Sequence, residues 1–162
     1  MEPIDYVKAI DEYYQNLGYP PYDWTVHTTA PFTPLTKPLD ACRVSMLTSG
    51  GISHRTRAPF NPTAKNDLRL DEVDVRADPG DFVINDAYYD TRDARADLNV
   101  VFPIERLREL ADQGVIGSVA RRLWSGFMGR IYHRAKVVEE AAPAFAEELR
   151  KDDVDLLVLV PA

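Results

Sequence analysis

"VDLLVLVPA", residues 154–162, decides how this chain is read. Its aliphatic run, Leu156 to Val160, is too short for a helix and has no polar alternation. Such a run fits a strand covered on both faces of a parallel sheet. In open α/β sheets, ligands bind beyond the C-terminal ends of the strands. Chemistry is therefore expected where this run stops.

Working outward, "AKVVEEAAPAFAEELRKDD" is an amphipathic helix, kinked or begun at Pro143, that leads into the last strand. "SVARRLWSGFMG" reads as a short strand ending in a glycine-bounded turn. "FPIERLRELADQGVIG" is a helix opening at Pro103, with Ile104, Leu107, Leu110 and Ala111 on one face and Gly114 closing it. Further back, "RADPGDFVIND" gives a turn and a strand over Phe82–Asn85, and "CRVSMLTSGGIS" gives a strand ending in Thr48, Ser49, Gly50 and Gly51. Strands alternating with helices predict βαβ units. The expected fold is three-layer α/β with a mainly parallel, flavodoxin-like or Rossmann-like sheet, incomplete at the C-terminus. Two regions are expected: residues 1–40, a helix and an extended arm, and residues 41–162, the α/β domain. In the first, Ile4, Val7, Ile10, Tyr13 and Tyr14 keep helical spacing, with Pro3 in the first turn and Gly18 as the C-cap. The arm holds Pro20, Pro21, Pro31, Pro34 and Pro38, and its aromatics Tyr19, Tyr22, Trp24 and Phe32 suit docking on a surface.

Composition narrows the function. With 162 residues, 45% hydrophobic and 28% charged, the chain can bury a globular core. Its net charge of −7 argues against nucleic acid or an anionic membrane as partner. No apolar stretch approaches the roughly 18 residues of a membrane span. The single Cys42 excludes an internal disulfide framework, and "MEPIDYVKAIDEYY" lacks the regions of a signal peptide, so the expected compartment is a reducing cytoplasm.

Three loops follow strands and are expected at one edge of the sheet. Thr48-Ser49-Gly50-Gly51 either points backbone N–H groups at a carboxylate or phosphate, or is a tight turn. It matches neither the dinucleotide fingerprint nor the P-loop, which weakens a nucleotide-binding reading. "NDAYYDTRDARADLN" holds Asp86, Tyr88, Tyr89, Asp90, Asp93, Asp97 and Asn99. These can orient a substrate amine and move protons, or simply cap turns in a solvated loop. "WSGFMG", with Gly126, suits a ligand-approaching turn or plain packing. The candidate substrate-binding residues are thus Thr48, Ser49, Gly50, Gly51, Asp86, Tyr88, Asp90, Asn99 and Gly126. His27, His54 and His133 lie in separate segments and give no zinc spacing, so no metal site is expected. His54 either reaches a ligand or sits on the surface, and Cys42 reads as a buried structural thiol. No nucleophilic triad signature is present.

"LTSGGIS", "DLNVVFPIERLRELADQGVIG", "SGFMG" and "VDLLVLVPA" occur in this order behind a proline-rich lead, "PFTPLTKPLDACRVSMLT". Together they resemble the selenoprotein subunit of D-proline reductase and the related B component of glycine, sarcosine and betaine reductases. The similarity covers about residues 26–162, and its strongest piece runs from Asp97 to Ile116. The resemblance implies reductive cleavage of a C–N bond at the α-carbon of an amino acid or amine. A selenol or thiol attacks that carbon, a neighbouring cysteine resolves the adduct, and external dithiols reduce the selenenyl sulfide or disulfide. No cofactor is expected in this chain; a pyruvoyl group on a partner subunit is implied to activate the substrate nitrogen. The implied partners are that subunit, a small amino-acid or amine substrate, and a dithiol or thioredoxin-like reductant, within an oligomer.

In the family the Sec/Cys-x-x-Cys pair directly follows the strand that "VDLLVLVPA" resembles. The expected nucleophile therefore lies just after Ala162, outside this chain, and two explanations stand. Either a UGA selenocysteine codon was read as a stop, which is favoured, or this is a shortened paralogue. Asp86 also stands where family members commonly carry a histidine before the Tyr-Asp pair matched by Tyr89-Asp90, which puts the substrate in doubt. The competing reading is a non-catalytic binding or scaffold paralogue with an anion-binding Gly-Gly loop.

Overall fold

The computed structural model describes residues 5–21, 26, 28–30 and 33–162. It divides into two compact units, Met1–Pro34 and Leu35–Ala162. In the first, helix α1 spans Tyr6–Asn16. Asp5 caps it by accepting from the Lys8 N–H. At the other end Gly18 takes φ +87°. Its N–H donates to the Gln15 carbonyl and that of Tyr19 to Tyr14. This is a Schellman turn, closed by an edge-on Tyr14–Tyr19 ring contact at 5.9 Å. Pro3, Ile4, Tyr22, Trp24, His27, Pro31 and Phe32, which the sequence reading used, lie outside the described residues.

The second unit is built around strand β1, Arg43–Thr48. On one side it pairs in parallel with β7, Leu156–Val160, in unbroken register from Val44↔Leu156 to Thr48↔Val160. On the other it pairs in parallel first with β5, Ser118–Val119, and then with β6, Arg122–Gly126. Val119 pairs with Val44 and Trp124 with Leu47, so the β5–β6 side carries two extra residues between these points. Ser45 Oγ donates to the Arg122 carbonyl (2.9 Å) and the Ala120 N–H to the Val44 carbonyl (2.8 Å), which satisfies this bulge. Strand β3, Leu70–Asp74, adds antiparallel to β6 as the outer edge. The sheet is thus mainly parallel with one antiparallel edge.

Two departures from the sequence reading follow. First, β4, Phe82–Ile84, is not a strand of the parallel sheet. It forms a separate antiparallel ribbon with β2, Ile52–His54. The tight turn at Gly51 sends the chain off the sheet immediately after β1, so the next apolar segment pairs with that excursion. Second, β7 is not covered on both faces. It pairs only with β1, and Leu159 is 63% exposed. Register puts Leu156, Val158 and Val160 on the face shared with Val44 and Met46, where all three pack against the core. The opposite face is covered by α5, Ala142–Lys151, whose Phe145 meets Trp124 edge-on at 5.3 Å. That cover is centred on β6 and leaves Leu159 open.

On the core face, α3 (Ile104–Asp112) contributes Ile104 and Leu107 beside Phe102, Leu123 and the β2–β4 ribbon. Each fully buried large side chain contributes about 2 kcal/mol. Gly114, at φ +70°, ends α3 as the sequence indicates, with its N–H on Ala111 and that of Val115 on Leu110. Helix and ribbon, sheet, and α5 make the three layers. The final helical run enters through α4, Arg134–Lys136, and a π-helical turn, Val137–Ala141. Pro143 sits in the first turn of α5, where its missing N–H breaks no bond the widened turn has not already displaced. Among the described residues no helix is long and apolar enough to cross a membrane.

Candidate functional site at the C-terminal edge of the sheet

Strands β1, β6 and β7 end side by side, and three loops meet there. Thr48 is buried at the end of β1, and its Oγ1 accepts from the Gly50 N–H at 3.0 Å. The Ser49 N–H donates to the Val160 carbonyl at 3.2 Å. Two amides of the proposed anion loop are therefore used inside the fold, which gives the loop a packing role. Gly51, at φ +66°, lies so close to the next strand that a Cβ there would stand 2.5 Å from the Asn85 carbonyl oxygen. The Asn85 N–H returns a bond to the Gly51 carbonyl at 2.9 Å. Ser49 keeps its hydroxyl at the edge, where Oγ accepts from the Ala162 N–H at 3.1 Å.

The loop after β4 arrives by a different route from the one its sequence suggested, yet reaches the same place. Tyr89 donates its hydroxyl to the Gly50 carbonyl at 2.9 Å. Burial pushes the Tyr89 phenol up from its ordinary value, with the Asp86 charge adding to it, so it remains a donor. Asp86 accepts from the Tyr88 N–H at 2.7 Å, an Asx turn that sets Tyr88 outward. The third loop follows β6. Its Met128 is buried with Cε against Gly51, and Arg130 Nη1 donates to the Tyr88 hydroxyl at 2.6 Å.

Thr48, Ser49, Gly50, Gly51, Asp86 and Tyr88 are thus brought together. Gly126 ends β6 nearby, but a Cβ on it would run into the Arg69 carbonyl oxygen and Leu70 Cα, so close β3–β6 packing accounts for that glycine. Asp90 pairs instead with Arg92, whose side-chain hydrogen bond holds the carboxyl below the usual range. Asn99 opens α3. Its Oδ1 accepts from the Glu105 N–H at 3.2 Å, while Nδ2 donates to Asp97 and Glu105. His54 pairs with Thr56 and stacks edge-on against Phe82, within the ribbon. Cys42 is buried at the far end of β1, with Sγ on the Pro38 carbonyl. Among the described residues no three His, Cys, Asp or Glu side chains gather to hold a metal. A cavity of about 510 Å³ lies between the ribbon and α2, Arg92–Ala96. Its Arg55 and Arg95 spend donors on the Gly80 and Ile84 carbonyls, and it shares no residue with the glycine loop.

Tyr89 and Met128 lie in loops that the sequence singles out but are not among the candidate substrate-binding residues, and Arg130 falls outside those loops. Arg130 carried no sequence signal, because its place depends on left-handed backbone at Phe127 (φ +48°) and Arg130 itself (φ +65°). The edge as built carries a hydroxyl, two phenols, a carboxylate and a guanidinium. It lies at the C-terminal edge of a mainly parallel sheet in an α/β protein. Residues 12–162 match the family model described as glycine/sarcosine/betaine reductase selenoprotein B, and the chain belongs to that family. It is 32% identical over 133 residues to the D-proline reductase subunit gamma of Acetoanaerobium sticklandii, which covers 79% of this chain and 52% of that protein. The chain spans about half the length of that curated relative. No solved structure matches.

Proposed function

We propose that this chain is the N-terminal part of a selenol- or thiol-dependent reductase subunit that cleaves a C–N bond at the α-carbon of a small amino acid or amine. Its place in the family supports a reductase subunit. The observation that carries the finer reading is the meeting of the three loops with the end of β7, where the Ala162 N–H bonds Ser49 Oγ. In this reading the selenol- or thiol-based redox pair of the family acts at this edge, beside Ser49, Tyr88 and Tyr89. The length of the curated relative supports a further segment of comparable size.

The reaction consumes two electrons from a dithiol. The α-carbon exchanges its bond to nitrogen for one to hydrogen, the nitrogen leaves as an amine, and the dithiol becomes a disulfide. The donors at the edge, the Tyr88 phenol, a serine hydroxyl and a guanidinium, suit reactants that carry carboxylate and carbonyl oxygens. A pyruvoyl group on a partner subunit would supply electron withdrawal at the substrate nitrogen. This chain's own residues hold the substrate, and Tyr89 keeps the glycine loop closed under it. The complete subunit, assayed with its partner and a dithiol, should turn over at least one of glycine, sarcosine, betaine and D-proline, and no turnover of any of them sinks the proposal. Residues 1–162 alone should show no dithiol-dependent turnover of glycine, sarcosine, betaine or D-proline, and measurable turnover would refute it.

A further inference from the structure

We propose that Arg130 is the residue by which this edge binds the carboxylate of a small amino-acid ligand. The inference rests on the reductase reading above. Its starting point is a conformation that the local sequence does not favour. Arg130 takes φ +65°, Phe127 φ +48° and Asn66 φ +56°, three non-glycine residues in the left-handed region within two adjoining loops. Long side chains enter that region only where surrounding contacts hold them, and such residues gather at ligand sites. Here Asn66 is the clamp. Its N–H donates to the Arg130 carbonyl at 3.0 Å, and its Oδ1 accepts from the Tyr132 and His133 N–H groups at 2.6 and 3.0 Å. Phe127 is tied by its N–H to the Arg69 carbonyl at 3.2 Å.

The result is a guanidinium set at this edge beside Tyr88. Nη1 donates to the Tyr88 hydroxyl at 2.6 Å and to the Thr63 carbonyl at 3.0 Å, and Cζ lies 5.3 Å from the Tyr88 ring centre. Both of these acceptors are neutral. Among the described residues no carboxylate lies within ion-pair distance of Arg130, whereas Arg76, Arg92 and Arg122 are each held by one or more. A guanidinium carries more N–H donors than these contacts use. The Tyr88 phenol and the Thr63 carbonyl hold it without neutralising it, which is the preparation a bidentate carboxylate contact needs.

Betaine and choline test this, because they share a quaternary ammonium and differ in the carboxylate. Titrated into the 162-residue chain and followed by NMR or calorimetry, betaine should bind at least about tenfold more tightly than choline. Arg130→Gln should remove that difference, and Arg130→Lys should restore part of it. Arg130→Gly, which takes the left-handed backbone freely, should melt close to the parent yet lose betaine, separating binding from folding. Equal affinity for the two ligands, unchanged betaine binding in Arg130→Gln, tighter binding of inorganic phosphate than of betaine, or no betaine binding by the parent overturns the inference. Turnover by the complete subunit with its partner and a dithiol reads the reductase proposal separately. Normal turnover and KM in Arg130→Gln would remove this inference and leave that proposal standing.

Discussion

Gly51→Ala separates the packing role of the glycine loop from a purely ligand-facing one. Its new Cβ would meet the Asn85 carbonyl oxygen at 2.5 Å and carbon at 3.0 Å, both backbone atoms of the adjoining strand. Met128 Cε, at 2.9 Å, can swing away, but the Asn85 peptide cannot without moving the end of β4. At φ +66° an alanine also carries a left-handed penalty of about 1–2 kcal/mol. Overpacking against fixed backbone adds about 1–3 kcal/mol, and the Asn85–Gly51 hydrogen bond is put at risk. The expected loss is about 3 kcal/mol, and for a domain of this size about 6–12 °C in melting temperature. Gly50→Ala meets the side chains of Val101 at 3.1 Å and Thr48 at 3.2 Å, which can yield, and should lose about 1 kcal/mol. Gly129→Ala meets nothing within 4 Å and should stay within about 0.5 kcal/mol of the parent. Urea unfolding with a common m-value measures all three. A Gly51→Ala protein as stable as Gly129→Ala, or a loss larger at Gly50 than at Gly51, would refute the reasoning.

Gly126→Ala should be at least as damaging as Gly51→Ala, because its Cβ meets the Arg69 and Leu70 backbone at the start of β3; a soluble, parent-like urea midpoint would contradict this. Arg122 is 8% exposed and binds Asp152, Glu148 and Glu72 while lying over the Trp124 ring at 4.8 Å. Arg122→Leu should cost about 3 kcal/mol at pH 7 by leaving three carboxylates converging, and the penalty should shrink as acid neutralises them; a pH-independent penalty would argue for lost packing alone. The carboxyls of Asp74, Asp90, Asp97, Glu148 and Asp155 are held below their usual values, chiefly by hydrogen bonds from Arg76, Arg92, Asn99, Lys151 and the Arg43 amide respectively. Their contribution is present above the ordinary carboxylate range near pH 4 and is lost as pH falls through the lowered values, so stability should hold from about pH 7 to 5 and decline below about 4. A loss between pH 7 and 5 in thermal melts would mean that other groups govern it.

What the sequence reveals and what it conceals are both visible in the helix ends. Gly18 and Gly114 announce Schellman turns, because glycine is the residue that enters the left-handed region without strain. The end of α5 has the same geometry. The Asp153 N–H donates to Arg150 and that of Val154 to Leu149, but Asp153 (φ +50°) fills the glycine's place and gives no signal. Strand β3 was illegible for a similar reason. "LDEVD" is charged at three of its five positions without alternating, and only pairing with β6, which buries Asp71 and Val73, makes it a strand. The apolar run of β7 marked a strand correctly but could not say how much cover its neighbours provide. At the candidate site, the glycines and acids could be read because their residue types are unusual, while Arg130 could not, because backbone contacts formed far from it in sequence give it its position.

Asp153 offers a direct test of that distinction between residue type and position. Its side chain is exposed and makes only a 3.4 Å pair with Arg43, a surface contact expected to contribute about 0–1 kcal/mol. Asp153→Gly gives that up and removes the left-handed penalty, at the cost of some extra freedom in the unfolded chain. The balance should be a gain of about 0.5 kcal/mol, read as a higher urea midpoint at constant m. The same substitution at Arg130 should leave stability nearly level, because it surrenders the bonds to Tyr88 and Thr63. If Asp153→Gly lowers the midpoint, the Arg43 contact outweighs backbone strain at the end of α5. The left-handed cost would then be too small to mark Arg130 as a residue held in place for binding.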